Sequence, residues 1–390
     1  MCLLRTVGET PRFFIRNTTN FDAPAAFRLP RLIPVRRTVP NACPRRRSGR
    51  IPSSIRRAFN FPNFFPKQTD MSATIVPPLA VAPMEGLTDR IWRQAHQRWF
   101  GAPGAPARYY APFISPPENR VLIKKKMAEL DPAANPGAPV IPQLLAKDGA
   151  LAAWMIGELR KMDYTEVNLN FGCPSGTVTA KGKGSGMLRD PVKLDAFLAA
   201  VFANAEGPIS VKTRLGVEKP EEFAAILDIY NRYPICELTI HPRVMRQLYR
   251  GQADRAAFAA ALPGCRMPVC YNGDVTTAAD LHTLEAQYPQ LSGIMVGRGI
   301  IADPALFREA RGGAPAAREE LRGYLDDLYH GYSELFGSAG CAVSRMKGHW
   351  FYLIHKFEGA EKLEKQLRKA REPWEYEVVV NQIFTLPFRP

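Results

Sequence analysis

The sequence predicts a closed (β/α)8 barrel followed by an all-α helical domain, with a disordered basic extension at the N-terminus. Eight short apolar or β-branched runs, each bounded by Gly, Pro or Asn, recur between residues 79 and 299. Their starts lie about 31 residues apart, the length of one βα unit. A doubly wound sheet with fewer strands is the alternative that this spacing leaves open.

The predicted strands share apolar or β-branched character and a turn-forming residue at their ends. They are Leu79 to Met84, Arg108 to Phe113, Val140 to Leu145, Val167 to Gly172, Ile209 to Leu215, Leu238 to Pro242, Val269 to Asp274 and Ile294 to Gly299. Helix starts are predicted at Thr88-Asp89, Asp148, Asp190-Pro191 and Thr276-Thr277, because Asp and Thr side chains cap free backbone N–H groups. The barrel domain is predicted over residues 71–312.

The chain beyond residue 312 has a different pattern. Four amphipathic segments follow each other with no strand between them, and they predict a helical domain over residues 313–390. The segments are Ala316 to Phe336, Ala342 to Glu358, Ala360 to Arg371 and Trp374 to Ile383. The glycine and proline residues of 311–315 make a plausible linker.

Residues 1–70 carry +11 of the formal charge of +15 and are rich in Arg and Pro. They show neither helical nor alternating periodicity, so we expect disorder. Three interpretations compete: a transit peptide, a basic arm that scans nucleic acid, or translated sequence upstream of a start at Met71. We favour the third, because Met71 leads within a few residues into the first strand.

Composition excludes several classes of protein. No apolar run reaches the roughly 18 residues of a membrane-spanning helix, so we expect a soluble, cytoplasmic protein. The seven cysteines are scattered without a C-x-x-C pair, which indicates neither a disulfide framework nor a metal site. A reducing compartment fits this cysteine usage.

Glycine-rich turns follow the last two predicted strands. Asn272-Gly273-Asp274 ends strand seven and Gly297-Arg298-Gly299 ends strand eight. Barrels often bind phosphate at these two loops, where glycine exposes backbone N–H groups and Arg adds donors. The pattern predicts a phosphorylated cofactor, with ordinary tight turns as the alternative.

Three other polar residues stand near strand ends. Lys212 lies on an otherwise apolar strand, which favours a fixed anion or an electron-rich cofactor edge as its partner. Cys173 follows strand four, where an accessible thiol suits a proton donor or a nucleophile, although chance placement is also open. His241 ends strand six, either as a structural histidine or as a ligand to phosphate or substrate.

Two further features have open interpretations. The run Gly182-Lys183-Gly184-Ser185-Gly186 lacks the spacing of a P-loop, and we interpret it as a mobile basic lid, with a plain flexible loop as the alternative. Tyr109, Tyr110 and Phe113 near strand two either stack on a substrate ring or pack in the core.

Taken together and in order from about residue 79 to about residue 358, the motifs resemble those of the tRNA-dihydrouridine synthases. They are Ala82-Pro83-Met84-Glu85-Gly86, Asn170-Phe171-Gly172-Cys173-Pro174, Val211-Lys212-Thr213-Arg214-Leu215-Gly216, Ile240-His241, Asn272-Gly273-Asp274 and Val296-Gly297-Arg298-Gly299. The resemblance implies a TIM barrel that holds FMN, a helical domain that helps to grip tRNA, and NADPH as the reductant.

The resemblance also implies residue roles. Cys173 matches the proton donor, while Asn170 and Arg214 match positions that touch RNA. Cofactor contacts are implied for Pro83, Met84, Glu85, Gln143, Lys212, His241, Asn272, Gly273, Asp274, Gly297 and Arg298. Arg345 and Lys347 resemble an RNA-contacting stretch of the bacterial C-type subgroup, which acts at position 16. Phe171 departs from that subgroup, which commonly has Cys there.

The expected reaction is reduction of a tRNA uridine to 5,6-dihydrouridine by a monomer. Hydride passes from flavin N5 to C6 and a proton from Cys173 to C5. A flavin barrel acting on an enone or a dihydroorotate-like ring, and a non-catalytic RNA-binding protein, are the alternatives. Basic residues expected to contact RNA phosphates also include Lys124, Lys125, Lys126, Lys181, Lys183, Arg243, Arg246 and Arg250.

Overall fold

The computed structural model describes residues 76–101 and 108–390. The predictions for residues 1–70 and for a start at Met71 lie outside these ranges. Strands in the described part are β1 Leu79–Val81, β2 Arg108–Tyr110, β3 Val140–Ile141, β4 Gln143–Leu144, β5 Val167–Phe171, β6 Ile209–Arg214, β7 Leu238–His241, β8 Val269–Tyr271 and β9 Gly293–Val296.

Helices alternate with the strands and then continue alone. In the described part the α-helices are α1 Arg90–Phe100, α2 Lys124–Met127, α3 Gly149–Arg160, α4 Gly176–Thr179, α5 Pro191–Asn204, α6 Phe223–Tyr230, α7 Arg255–Ala261, α8 Ala278–Gln287, α9 Arg298–Ala302, α10 Leu306–Glu309, α11 Arg318–Phe336, α12 Ala339–Leu353, α13 Glu361–Lys369 and α14 Pro373–Ile383. None of these helices combines the length and apolar character needed to cross a membrane.

The strands form one parallel sheet in the order β3-β2-β1-β9-β8-β7-β6-β5-β4. Its two end strands, β3 and β4, are adjacent in the chain and separated only by Pro142. Proline has no N–H to donate, so it interrupts the ladder and divides one predicted strand into two. The predicted eight-stranded barrel is therefore confirmed, and the doubly wound sheet is wrong.

The ring is completed where the chain after β2 runs beside β4. Ile114 forms a parallel bridge with Leu144. The Ile114 N–H donates to the Gln143 carbonyl at 2.9 Å, and the Leu145 N–H donates to the Ile114 carbonyl at 2.9 Å. These bonds satisfy the edge that an open sheet would leave unpaired.

The predicted helix starts are confirmed by side-chain caps. Asp89 accepts a hydrogen bond from the Trp92 N–H, and Asp148, Asp190 and Thr277 do the same at α3, α5 and α8. Each cap satisfies a backbone donor that the first helical turn leaves free. These local signals position the helices that surround the strands.

The interior of the ring has a polar cluster at its N-terminal end. Tyr110 is fully buried, and its hydroxyl donates to Glu237 at 3.0 Å. Arg108 pairs with the same carboxylate at 2.9 Å. Tyr109 is also buried and contacts His96 at 2.9 Å. Both tyrosines therefore pack in the core, and the stacking alternative is wrong for them.

The C-terminal helices pack against the barrel through α1. A Cβ at Gly323 would lie 2.2 Å from the Trp99 ring, and one at Gly331 would lie 2.7 Å from Ile91, so both glycines permit close approach of α11 to α1. The Trp99 indole also donates to Asp327 of α11 at 2.9 Å. An all-α C-terminal region is thus confirmed; a domain boundary at residue 312 stays a prediction.

Candidate active site

A pocket opens at the carboxyl ends of β1, β6, β7, β8 and β9, the end of a barrel where active sites lie. Nine of the eleven predicted cofactor residues line it: Pro83, Met84, Lys212, His241, Asn272, Gly273, Asp274, Gly297 and Arg298. The other two, Glu85 and Gln143, stand at the same end of the barrel without lining the pocket. The barrel therefore gathers residues separated by more than 200 positions.

Asp274 organises the side of the pocket formed by β8 and β9. It accepts hydrogen bonds from Arg243 at 2.6 Å, from Arg298 at 2.7 Å and from the Ala253 N–H at 2.7 Å. Partial burial disfavours its charged form, but the bonds from Arg243 and Ala253 outweigh burial and lower the pKa of Asp274. The carboxylate is therefore ionised at neutral pH and orients both guanidinium groups.

The glycines of the two loops permit close packing within the protein. A Cβ at Gly297 would lie 3.2 Å from the Met84 sulfur, and one at Gly299 would lie 2.2 Å from the Val275 carbonyl oxygen. A larger residue at either position would displace the wall of the pocket. Packing within the protein is enough to explain why these positions are glycine. The predicted phosphate contact therefore depends on Arg298 and on the backbone N–H groups of the loops.

Lys212 supplies an unpaired cation to the pocket. The side chain is 9% exposed, and its ammonium donates no hydrogen bond to any residue in the described part of the chain. Burial and the nearby Arg214 lower the pKa of Lys212 to about 7. A buried ammonium without an acceptor fits a pocket that receives an anionic or electron-rich group.

His241 lies beside this cation and has a partner within the protein. Its Nε2 is 3.0 Å from the Arg243 guanidinium, which can only donate. Burial, followed by the charges of Arg214 and Lys212, lowers the pKa of His241 well below its ordinary value. His241 is therefore neutral; it both accepts a structural hydrogen bond and lines the pocket.

Cys173 stands across the mouth, in the loop that follows β5. Its thiol is partly buried, and burial raises its pKa. The Ser175 backbone and the charges of Arg214 and Lys212 oppose this rise, while Glu85 adds to it. Because this loop begins at the carboxyl end of β5, Cys173 lies at the same end of the barrel as the pocket.

Asn170 determines the shape of the Cys173 loop. Its side-chain oxygen accepts hydrogen bonds from the N–H groups of Gly172 at 3.0 Å and Cys173 at 2.9 Å. Its amide nitrogen donates to Gln143 at 2.6 Å, and Gln143 donates in turn to Asn168 at 2.7 Å. The predicted RNA residue Asn170 and flavin residue Gln143 thus belong to one buried network that supports the thiol.

The glycine-rich run is a packed element. Gly184–Arg189 forms a 3-10 helix whose first five residues are buried. The Ser185 N–H and hydroxyl both donate to the Cys173 carbonyl, at 3.0 and 2.9 Å. The interpretation of residues 184–186 as a mobile lid is therefore wrong, because they are buried and hydrogen-bonded to the Cys173 loop.

Gly184→Ala is expected to destabilise the protein. Gly184 has φ +56, and a Cβ there would lie 2.7 Å from the Cys173 carbonyl oxygen. We expect a loss of about 1–3 kcal/mol in the free energy of unfolding, measured by chemical denaturation. Gly176→Ala is the control, since no atom outside its own helix and chain neighbours lies within 4 Å of its Cβ position and its φ is not positive. Equal stability of the two variants would contradict this packing account.

Arg214 and Arg243 are both buried, each 1% exposed. Arg214 donates to the carbonyls of Gly172, Val244 and Leu248 at 2.7–3.0 Å. The expectation that Arg243 contacts RNA phosphates is wrong, because its buried guanidinium is hydrogen-bonded to His241, Asp274 and nearby backbone carbonyls. RNA contact by Arg214 stays a prediction.

Arg345 and Lys347 lie on α12. The Arg345 guanidinium stands 5.7 Å from the centre of the Tyr332 ring and 5.6 Å from that of Phe336. A Cβ at Gly86 would lie 2.5 Å from Arg345 Nη1, so Arg345 reaches the first loop of the barrel. Its predicted RNA contact, and that of Lys347, are not tested by this placement.

Sequence reasoning missed two residues of the pocket. Arg243 was expected only to contact RNA phosphates, and Tyr249 was not considered, yet both line the site. The signal available for Arg243 was its place two positions after the strand end at His241. For Tyr249 no sequence signal exists, because its loop position depends on partners far away in the chain.

A family profile described as dihydrouridine synthase matches residues 80–385. The chain belongs to the dihydrouridine synthase family. The tRNA-dihydrouridine(16) synthase of Cupriavidus necator is 28% identical to it, over 77% of this chain and 96% of that relative. The tRNA-dihydrouridine(20/20a) synthase of Xanthomonas campestris pv. campestris is also 28% identical, over 75% of this chain and 88% of the relative.

Two solved structures are also similar to this dihydrouridine synthase family member. The old yellow enzyme from Trypanosoma cruzi has a TM-score of 0.43 at 9% identity, covering 61% of this chain and 89% of that chain. Morphinone reductase has a TM-score of 0.42 at 12% identity, covering 62% and 87%. The relative named for position 16 and the relative named for positions 20/20a are equally identical to this chain. Modification of position 16 therefore stays a prediction.

Proposed function

We propose that this chain reduces a uridine in the D-loop of tRNA, at position 16, to 5,6-dihydrouridine. The observation that supports this function is the arrangement of Lys212 and Cys173 at one barrel mouth. A buried ammonium without an acceptor lies on β6, and a protonated thiol lies in the loop that follows the neighbouring strand β5. In a member of the dihydrouridine synthase family, this pair suits reduction of a flat ring that enters between them.

The pocket has donors suited to FMN. Lys212 would hold the electron-rich edge of the ring system, and Arg298 with the N–H groups of the Gly273 and Gly297 loops would hold the phosphate. When bound, FMN would supply the hydride for C6 of the uracil, with NADPH as the reductant that regenerates it. Met84 and Pro83 would pack against the cofactor from the β1 side of the pocket.

Cys173 would supply the proton at C5 of the uracil. An acid must carry its proton at neutral pH, and the raised pKa of the thiol ensures this. Asn170 and Ser185 hold the loop on both sides of the sulfur through backbone hydrogen bonds. The thiol therefore needs little rearrangement before it donates.

The uridine must leave the folded tRNA to reach this pocket. Such extrusion costs a few kcal/mol and requires compensating contacts to phosphates. Lys181 is exposed, and Lys183 stands near the mouth, 3.5 Å from the Ser115 hydroxyl. Arg345 and Lys347 would extend the basic surface onto the helical region at residues 313–390, and the protein would act as a cytoplasmic monomer.

Two measurements test the proposal. The purified protein is expected to show flavin absorbance and, with NADPH, to form dihydrouridine in tRNA that lacks it, as measured by mass spectrometry of the nucleosides. A colourless protein that binds tRNA would favour the RNA-binding alternative. A flavoprotein that reduces enones but leaves tRNA unchanged would favour the small-molecule alternative.

A further inference from the structure

Tyr249 lines the pocket, and the backbone of the residue before it is strained. The preceding residue, Leu248, has φ +52 and ψ −108, a region that residues with a Cβ rarely enter. Hydrogen bonds hold it there: the Leu248 carbonyl accepts from Arg214 at 2.7 Å, and its N–H donates to Met245 at 3.1 Å. Strain of this kind tends to persist where it serves a site.

The Tyr249 ring gains little from apolar burial, because the residue is 49% exposed. The ring centre lies 6.3 Å from that of the neutral His241, and the ring also faces two cations. The Arg214 guanidinium carbon lies 5.3 Å from the ring centre, and that of Arg298 lies 5.6 Å from it. Both distances lie within the range of cation–π attraction.

The two arginines differ in how much they depend on this ring. Arg214 is buried and donates to three backbone carbonyls, so it stays in place with or without Tyr249. The Arg298 side chain is 39% exposed and, among the described residues, forms a single ion pair, with Asp274 at 2.7 Å. One ion pair leaves a long side chain free to rotate, so the ring supplies the second constraint on Arg298.

We propose that Tyr249 is a positioning residue that holds Arg298 over the pocket to receive a terminal phosphate, and so makes the site select phosphorylated over unphosphorylated flavin. This inference rests on the proposed flavin-dependent function. The Tyr249 ring takes no part in the chemistry. It affects the selectivity for the flavin phosphate by holding Arg298 in position.

Binding of two flavins by the cofactor-free protein tests this role. FMN and riboflavin differ only in the phosphate, and their affinities are measured by fluorescence quenching in wild type, Tyr249→Ala and Tyr249→Phe. We expect Tyr249→Ala to weaken FMN binding by about ten-fold and to leave riboflavin binding unchanged. Tyr249→Phe keeps the ring and is expected to retain affinity for FMN.

A double-mutant cycle with Arg298→Ala identifies the route of the effect. If Tyr249 acts through Arg298, Tyr249→Ala has no further effect on FMN binding in the Arg298→Ala background. Equal loss of both flavins, an unchanged affinity for FMN, or a loss confined to tRNA binding would each overturn the proposal. Failure of the wild-type protein to bind either flavin would instead refute the proposed function.

Discussion

Cys173→Ala is expected to lower the rate of dihydrouridine formation by about 100-fold or more while flavin stays bound. The substitution removes the protonated thiol and leaves the cofactor pocket intact, since Cys173 does not line that pocket. The rate is measured as dihydrouridine formed in tRNA under saturating NADPH, and flavin content is measured by absorbance. Loss of rate with retained flavin would place the defect in the chemical step.

Cys341→Ala is the matched control for the thiol. Cys341 is exposed on α12 and takes no part in the mouth of the barrel, so its loss is expected to leave the rate unchanged. Cys173→Ser adds a second comparison, because a hydroxyl of similar size is a much weaker acid. Turnover of Cys173→Ala at the wild-type rate would remove the thiol from the mechanism.

Lys212→Met is expected to make the cofactor-free protein more stable and the flavin complex weaker. The buried ammonium has no acceptor in the described part of the chain, whereas Met fills similar space without charge. We expect a gain on the order of 2–4 kcal/mol in the free energy of unfolding at pH 6. We also expect a loss of about 10- to 100-fold in flavin affinity.

The pH dependence of stability identifies the cause. The pKa of Lys212 in the folded protein is about 7, below its ordinary 10.5, so the unfolded chain binds one more proton between these values. Stability of the cofactor-free wild type should therefore rise with pH from about 7 to about 10.5 because of this group, and the rise should vanish in Lys212→Met. Below pH 7 both states are protonated, and the full cost of the buried charge remains.

Lys161→Met serves as the control for this experiment. The Lys161 side chain is 72% exposed and pairs with Glu158 at the end of α3, so its removal should change stability little at any pH. Denaturant unfolding of the three cofactor-free proteins between pH 6 and pH 10 gives the comparison. If the difference in the free energy of unfolding between wild type and Lys212→Met does not vary with pH, the interpretation of Lys212 as a buried lysine that titrates in this range is wrong.

Much of the barrel could be predicted because its signals are local. The strand Val167–Phe171 alternates apolar residues with asparagine, and Asp148 caps helix α3, which begins at Gly149. Pro142 interrupts one predicted strand for an equally local reason. Pattern alone therefore indicated which segments are strands and helices, and their number favoured a closed ring over a doubly wound sheet.

The errors share a different origin. Arg243 looks like any other arginine in a polar loop, and only its contact with Asp274, 31 positions later, makes it a buried residue. Gly184 looks like part of a flexible run until its packing against the Cys173 carbonyl is known. Whether a charged or small residue is buried depends on partners that no local pattern specifies.

The sequence by itself determined the barrel, the order of its units and the residues that stand at strand ends, because the period of apolar residues and the caps act over a few positions. Only the tertiary structure decided that Asp274 orients Arg298, that Asn170 shapes the Cys173 loop, and that Tyr249 reaches the pocket. These contacts join residues of different βα units, and their geometry exists only once the ring has closed.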